Sequence, residues 1–111
     1  MEAKIYEGKY TNSSNQIYTL KNGKIFKGKY TNSSNEIKNI SASGFNVKGD
    51  KIYEGKNSNS SDHVASLKDD KFYEGKYTNS SNHVATIKGD RLSDDELEQV
   101  IYLLLQRNNL L

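Results

Sequence analysis

His63 and His83 stand at matching places in two consecutive copies of a repeated phrase, HVAS and HVAT. Histidine is the commonest protein ligand for zinc, and a two-histidine site would need both rings to converge and a third donor to join them. The matching positions in the other two copies hold Gln16 and Glu36, so a mixed ring of four is the most the pattern offers. The plainer reading makes these the exposed first residues of four strands, and no metal or other cofactor is expected.

A second chemistry lies in the loops. KYTNSSN occurs at 9–15, 29–35 and 76–82, and KNSNSSD fills 56–62. Amides and hydroxyls both donate and accept, which suits sugars and other polyhydroxy ligands, and tyrosine adds an amphipathic ring face. The candidate ligand-binding set is therefore Tyr10, Asn12, Tyr30, Asn32, Asn59, Tyr77 and Asn79. Against it, Asn, Ser and Thr are also the residues that build loops, because their side chains bond nearby backbone. The Asn-Ser-Ser triplets match the glycosylation sequon but carry meaning only in a secreted chain.

Lys9, Lys29, Lys56 and Lys76 each follow a repeated glycine. With tyrosines nearby they suggest a stacking, basic surface for nucleic acid. The weak net charge of +2 and the acids Glu7, Glu54 and Glu74 two residues before them speak against it. Lysines that keep strand edges from aggregating explain them better, and nucleic acid is not expected. The aromatic row Tyr6, Phe26, Tyr53 and Tyr73 reads as one ring per hairpin filling a small core.

No catalytic constellation is visible. The chain has no cysteine, no phosphate-binding glycine loop, no nucleophile elbow and no His-Glu-x-x-His. A repeated sequence also puts equal groups in equal settings, whereas acid–base catalysis needs two groups of different pKa. The chain is not expected to be an enzyme.

The elements that position these residues follow from the repeat. The copies run 4–23, 24–50, 51–70 and 71–90, with a period of 20 residues and about seven extra around Ser41–Val47. The first half of each copy carries a strand-forming pair, from Ile5-Tyr6 to Phe72-Tyr73, and the second half an aliphatic run. The joints Asn22-Gly23, Gly49-Asp50, Asp69-Asp70 and Gly89-Asp90 are tight-turn pairs. The pattern predicts a mainly β fold: four β-hairpins in an antiparallel meander, packed around an axis with the aromatic and aliphatic pairs pointing inward. Ile17 and Leu20 lie three apart, which calls for a bulge or for cover on both faces. Gly8, Gly28, Gly55 and Gly75 mark either such a bulge or the close approach of a ring.

Ser93 and Glu96 form a capping box, and Leu97, Val100, Ile101, Leu104 and Leu105 recur at helical spacing. They predict a C-terminal helix over about 93–107 that seals the open side of the hairpins. Leu103, Leu110 and Leu111 fall off the stripe and are the candidates for a protein partner or for pairing of helices in a homo-oligomer, unless they belong to a frayed end.

KIYEGKYTNSS repeats followed by an aliphatic strand and a tight turn, and the ending LSDDELEQVIYLLL, resemble the bacterial four-fold β-flower proteins. The resemblance covers 4–105. It implies four β-hairpin petals around a pseudo-four-fold axis and a terminal helix, and it implies no particular activity. The insertion departs from a regular repeat.

At 111 residues the chain fits one domain, 1–111, and the near balance of 16 basic and 14 acidic residues argues against simple disorder. MEAKIYEGKY has no apolar signal region, and no apolar run approaches the ~20 residues needed to cross a bilayer, so a cytoplasmic protein without membrane contact is expected. The functional expectation is a non-catalytic binding or interaction module acting through the Asn/Ser loop rim or the helix. The alternatives are a lectin-like or small polar ligand binder and a structural homo-oligomer.

Overall fold

Adjacent β-branched and aromatic residues flanked by lysine or glutamate favour short strands covered on both faces. In the computed structural model, which describes residues 2–111, eight strands form: β1 (Glu2–Glu7), β2 (Gln16–Lys21), β3 (Lys24–Lys27), β4 (Phe45–Lys48), β5 (Lys51–Glu54), β6 (His63–Lys68), β7 (Lys71–Glu74) and β8 (His83–Gly89). They make one antiparallel open sheet in the order β3-β2-β1-β8-β7-β6-β5-β4, followed by helix α1 (Asp94–Arg107). No helix is long and apolar enough to cross a membrane.

In this order the odd-numbered strands all run the same way, so the four Asn/Ser loops leave from one end of the sheet. The tight turns occupy the other. Asn22-Gly23 and Asp69-Asp70 both have two positive φ angles, the type I′ geometry whose twist matches paired strands, while at Gly49-Asp50 only the glycine is positive. Gly89-Asp90 makes no hairpin. It releases the chain into α1.

The sheet is opened by the insertion. Glu36 and Ile37 stay beside β3, through the Phe26–Glu36 bridge and a 2.8 Å bond from Ile37 N–H to the Ile25 carbonyl. The chain then leaves, and Gly44 returns on the far side to accept from Gly55 N–H at 2.7 Å, with Phe45 opposite Glu54. One strand is thus split between two edges. Eight residues reach at most about 28 Å, whereas β3 and β4 would lie about 34 Å apart in a flat sheet of this size. The sheet must therefore curl to bring its edges toward each other.

Alternation sets two faces. Ala3, Ile5, Tyr18, Leu20, Ile25, Ile52, Ala65, Phe72, Ala85 and Ile87 form one cluster with Val100, Ile101, Leu104 and Leu105 of α1. The four helical residues are at most 1% exposed, and each contributes roughly 1.5–3 kcal/mol by burial. Tyr6, Phe26, Tyr53 and Tyr73 are buried as well, but on the opposite, outer face. This corrects the inward placement expected of both members of each pair: the aliphatic one, Phe72 in the last copy, turns toward the helix and the aromatic one turns away. The register slips where Tyr6, Tyr53 and Tyr73 meet Gln16, His63 and His83, so a bulge does intervene at Ile17, Val64 and Val84. Both faces are covered too.

The capping box forms as expected, with Ser93 Oγ accepting from Glu96 N–H at 3.2 Å and Glu96 Oε1 accepting from Ser93 N–H at 2.8 Å. The other end closes in a Schellman motif: Asn109 takes a φ of 57°, and Leu110 and Asn109 donate to the carbonyls of Leu105 and Gln106. The helix spans the opened seam. Tyr102 stacks on Phe45 at 6.4 Å, while Leu103 and Gln99 border Ile37 on the other edge.

Candidate functional site

The outer face carries a polar row that the sequence reading missed. Thr19, Asn46, Ser66 and Thr86 lie one per repeat on the face opposite the helix, and Thr19 and Ser66 are 1% and 2% exposed. Each side chain donates to the carbonyl of a glycine across the neighbouring strand: Thr19 to Gly28 at 2.7 Å, Asn46 to Gly55 at 3.0 Å, Ser66 to Gly75 at 3.4 Å and Thr86 to Gly8 at 2.8 Å.

A hydroxyl has one hydrogen. Once it is given to the glycine, the oxygen can only accept from its second neighbour. Gln16 Nε2 donates to Thr19 Oγ1 at 2.6 Å, and the histidines hold the same place, His63 Nε2 2.9 Å from Ser66 Oγ and His83 Nε2 2.9 Å from Thr86 Oγ1. For each hydroxyl to serve both neighbours, the ring beside it must carry a proton on Nε2. Glutamate has no N–H to give in its ionised form, and Glu36 is the copy separated from its partner by the insertion, while Asn46 reaches Gly55 unaided.

These four first-strand residues are half-buried, not exposed. His63 and His83 pack beside Tyr53 and Tyr73 with ring centroids 5.2 and 5.3 Å apart. Burial disfavours the charged imidazole and lowers both pKa values below 6.5, and nearby lysines add to this. The two rings serve separate hydroxyls, and no group of three or more His, Cys, Asp or Glu among the described residues could hold a metal ion.

The repeated glycines Gly8, Gly28, Gly55 and Gly75 have φ of 75–80° with nothing within 4 Å of an added Cβ. Backbone conformation, not a crowding ring, requires glycine there.

Each Asn/Ser loop contains a 3-10 turn, Ser13–Asn15, Ser33–Asn35, Ser60–Asp62 or Ser80–Asn82. The loop fold rests on its last residue. Asn15, Asn35 and Asn82 reach back to the carbonyls of Tyr10, Tyr30 and Tyr77 at 3.3–3.5 Å. Asp62 has no such donor, and Asn46 instead bonds the equivalent Asn57 carbonyl at 3.1 Å. By contrast Asn12, Asn32, Asn59 and Asn79 make no side-chain cap bond. Tyr10, Tyr30 and Tyr77 are 68%, 67% and 66% exposed. The candidate ligand-binding residues thus keep their side-chain amides free of capping bonds, on four loops that leave from one end of the sheet.

Two recesses lie on the outer face between these loops and the tight turns. One, about 260 Å³, is lined by Lys21, Asn22, Lys24, Phe26 and Thr31; the other, about 390 Å³, by Lys48, Gly49, Asp50, Lys51, Tyr53 and Ser58. Thr31 and Ser58 come from the loops, which therefore fold back over the aromatic row. The lysines in them face each other across the strands, Lys21 opposite Lys24 and Lys48 opposite Lys51. The same pairing recurs as Lys68 with Lys71 and Lys4 with Lys88. Being two residues from Thr19, Asn46, Ser66, Thr86 or the aromatic row, all of them lie on the outer face. Glu7, Glu54 and Glu74 alternate onto the helix side, where Arg107 meets Glu7 at 3.5 Å.

Leu103, Leu110 and Leu111, the candidate partner residues, are half-buried and pack against the main core. Leu111 lies over Gly44, 3.7 Å from where a Cβ would stand.

Scans against family models, curated proteins and solved structures return no match to this chain.

Proposed function

We propose that the chain is a non-catalytic binding module whose loop rim takes a small polar or carbohydrate ligand. We read the hairpins as four petals around a pseudo-four-fold axis, in the manner of the β-flower proteins the sequence resembles. Under that reading the rim presents one binding motif several times, and a repetitive ligand would engage several copies at once.

The observation that carries the proposal is the state of the rim. Tyr10, Tyr30 and Tyr77 stand about two-thirds exposed, and the asparagines two residues on leave their amides without a capping bond. Ring faces beside unspent donors and acceptors are what hydroxyl-rich ligands need.

Thermal-shift measurement against neutral oligosaccharides and polyols tests this. A ligand at ~100 times its dissociation constant adds about 2.7 kcal/mol, which moves the midpoint of a domain this size by roughly 10 °C or more. The triple variant Tyr10→Ala, Tyr30→Ala, Tyr77→Ala should keep its own midpoint and lose the shift. A flat response of the native protein across the set overturns the proposal.

A further inference from the structure

We infer that the outer face is a docking surface for a linear acidic polysaccharide, with its carboxylates held by the opposed lysine pairs. The sugar character of this ligand rests on the rim reading above; its charge rests on the lysines alone.

Four lysine pairs lie directly opposite one another, one beside each tight turn or at the β1–β8 seam. Like charges in that position destabilise a sheet. All eight are exposed, and none has an acidic partner within 4.0 Å, since Arg107–Glu7 is the only salt bridge among the described residues. Acids do lie near the row: Glu2 faces Lys21, Asp50, Asp69 and Asp70 occupy turns, and Asp90 accepts from Glu2 N–H at 3.0 Å. They leave the Lys21–Lys24 pair with no acid in its own turn. The overall charge of +2 conceals this concentration of lysine, because Glu7, Glu54 and Glu74 lie on the helix side and Asp94, Asp95, Glu96 and Glu98 on α1 itself.

Charge spacing separates the possible polyanions. Neighbouring pairs are two strands apart in the sheet order and stepped by two residues along the strands, since Lys4 faces Thr19 and Lys71 faces Thr86, hence about 12 Å. A duplex strand carries a phosphate every ~3.4 Å, so most of its charges would find no lysine. A polymer of uronic acid and neutral sugar carries one carboxylate per disaccharide and fits the sparser row. The aromatic rings between the lysines are buried and offer bases no stacking face. The recess walls supply hydroxyls and amides instead, from Thr31, Ser58 and Asn22.

The test is binding of hyaluronate, which alternates a uronic acid with a neutral sugar, of neutral dextran and of oligo-dT to the full chain, by calorimetry at two salt concentrations. The native protein should prefer hyaluronate and lose affinity as salt rises. The variant Lys21→Gln, Lys24→Gln, Lys48→Gln, Lys51→Gln should bind it about tenfold or more weakly with a melting point no lower than the native one. Lys27→Gln, on the helix face, should match the native protein. If the lysine variant loses hyaluronate while the tyrosine triple variant keeps it, the acidic-ligand inference holds and the rim reading fails. If dextran binds as well as hyaluronate, the rim survives and this inference falls. Tighter binding of oligo-dT, or no binding of any polymer, also overturns it.

Discussion

Replacing Thr19 by valine keeps the shape of the side chain and removes only its hydroxyl. That oxygen accepts from Gln16 Nε2 at 2.6 Å and donates to the Gly28 carbonyl at 2.7 Å. The side chain is 1% exposed, so water cannot take either place. A typical hydrogen bond contributes about 0.5–1.5 kcal/mol net, and a buried group left without a partner costs more than that. Two lost bonds should cost about 1–3 kcal/mol, or a midpoint about 5–20 °C lower, read by circular dichroism on heating. Thr19→Ser keeps the oxygen and should lose much less, since Ser66 fills the same role toward Gly75. If Thr19→Val melts within a degree or two of the native protein, the polar row does not hold the loops to the sheet and the donor argument for Gln16, His63 and His83 collapses.

Two further outcomes follow from the same geometry. Burial lowers the pKa of His63 and His83 below 6.5 in the folded state, so the unfolded chain takes up protons first as pH falls. Their contribution is complete above 6.5 and declines as pH drops through 6.5 toward the lowered folded values. Midpoints measured across this range should show a fall that the double variant His63→Gln, His83→Gln lacks, because glutamine donates the same bond; equal pH profiles would contradict the assignment. Gly75→Ala should cost about 1–2 kcal/mol through backbone strain alone, since φ is 80° and no atom obstructs the new Cβ. A much larger loss on chemical denaturation would point to crowding instead.

Much of the architecture was legible because period and turn chemistry agree. Asn22-Gly23 and Asp69-Asp70 announce their turns, and Ser93 with Glu96 fixes the start of α1 to the residue. The direction of Tyr6, Phe26, Tyr53 and Tyr73 was not legible, because both faces are buried and adjacent Ile5 and Tyr6 offer no alternation to choose between them. The polar row left a trace, Gln16-x-x-Thr19, His63-x-x-Ser66 and His83-x-x-Thr86. It reads as loop-edge polarity until the bulge is known, since the bulge is what brings residues three apart to one face. The lysine pairs escaped for another reason. Register across a hairpin, not spacing along the chain, makes Lys21 and Lys24 neighbours.

The seating of β1 between β2 and β8 has a consequence for how the molecule assembles. Six of the seven strand pairings join neighbours in sequence and can form locally, but Ala3 must find Gly89 before the sheet is whole. The ends of the β region thus make the sheet's centre, and its sequence midpoint supplies both edges. Hairpins β2–β3 and β4–β5 can zip early, whereas the β1–β8 pairing waits for the six strands between them and closes the longest loop in the sheet. Helix α1 comes immediately after β8, so the residues that seal the insertion seam become available only once that closure is within reach. The nascent chain therefore carries an unpaired edge on β1 until β8 is made, and Lys4 and Glu2 are the charges that guard it.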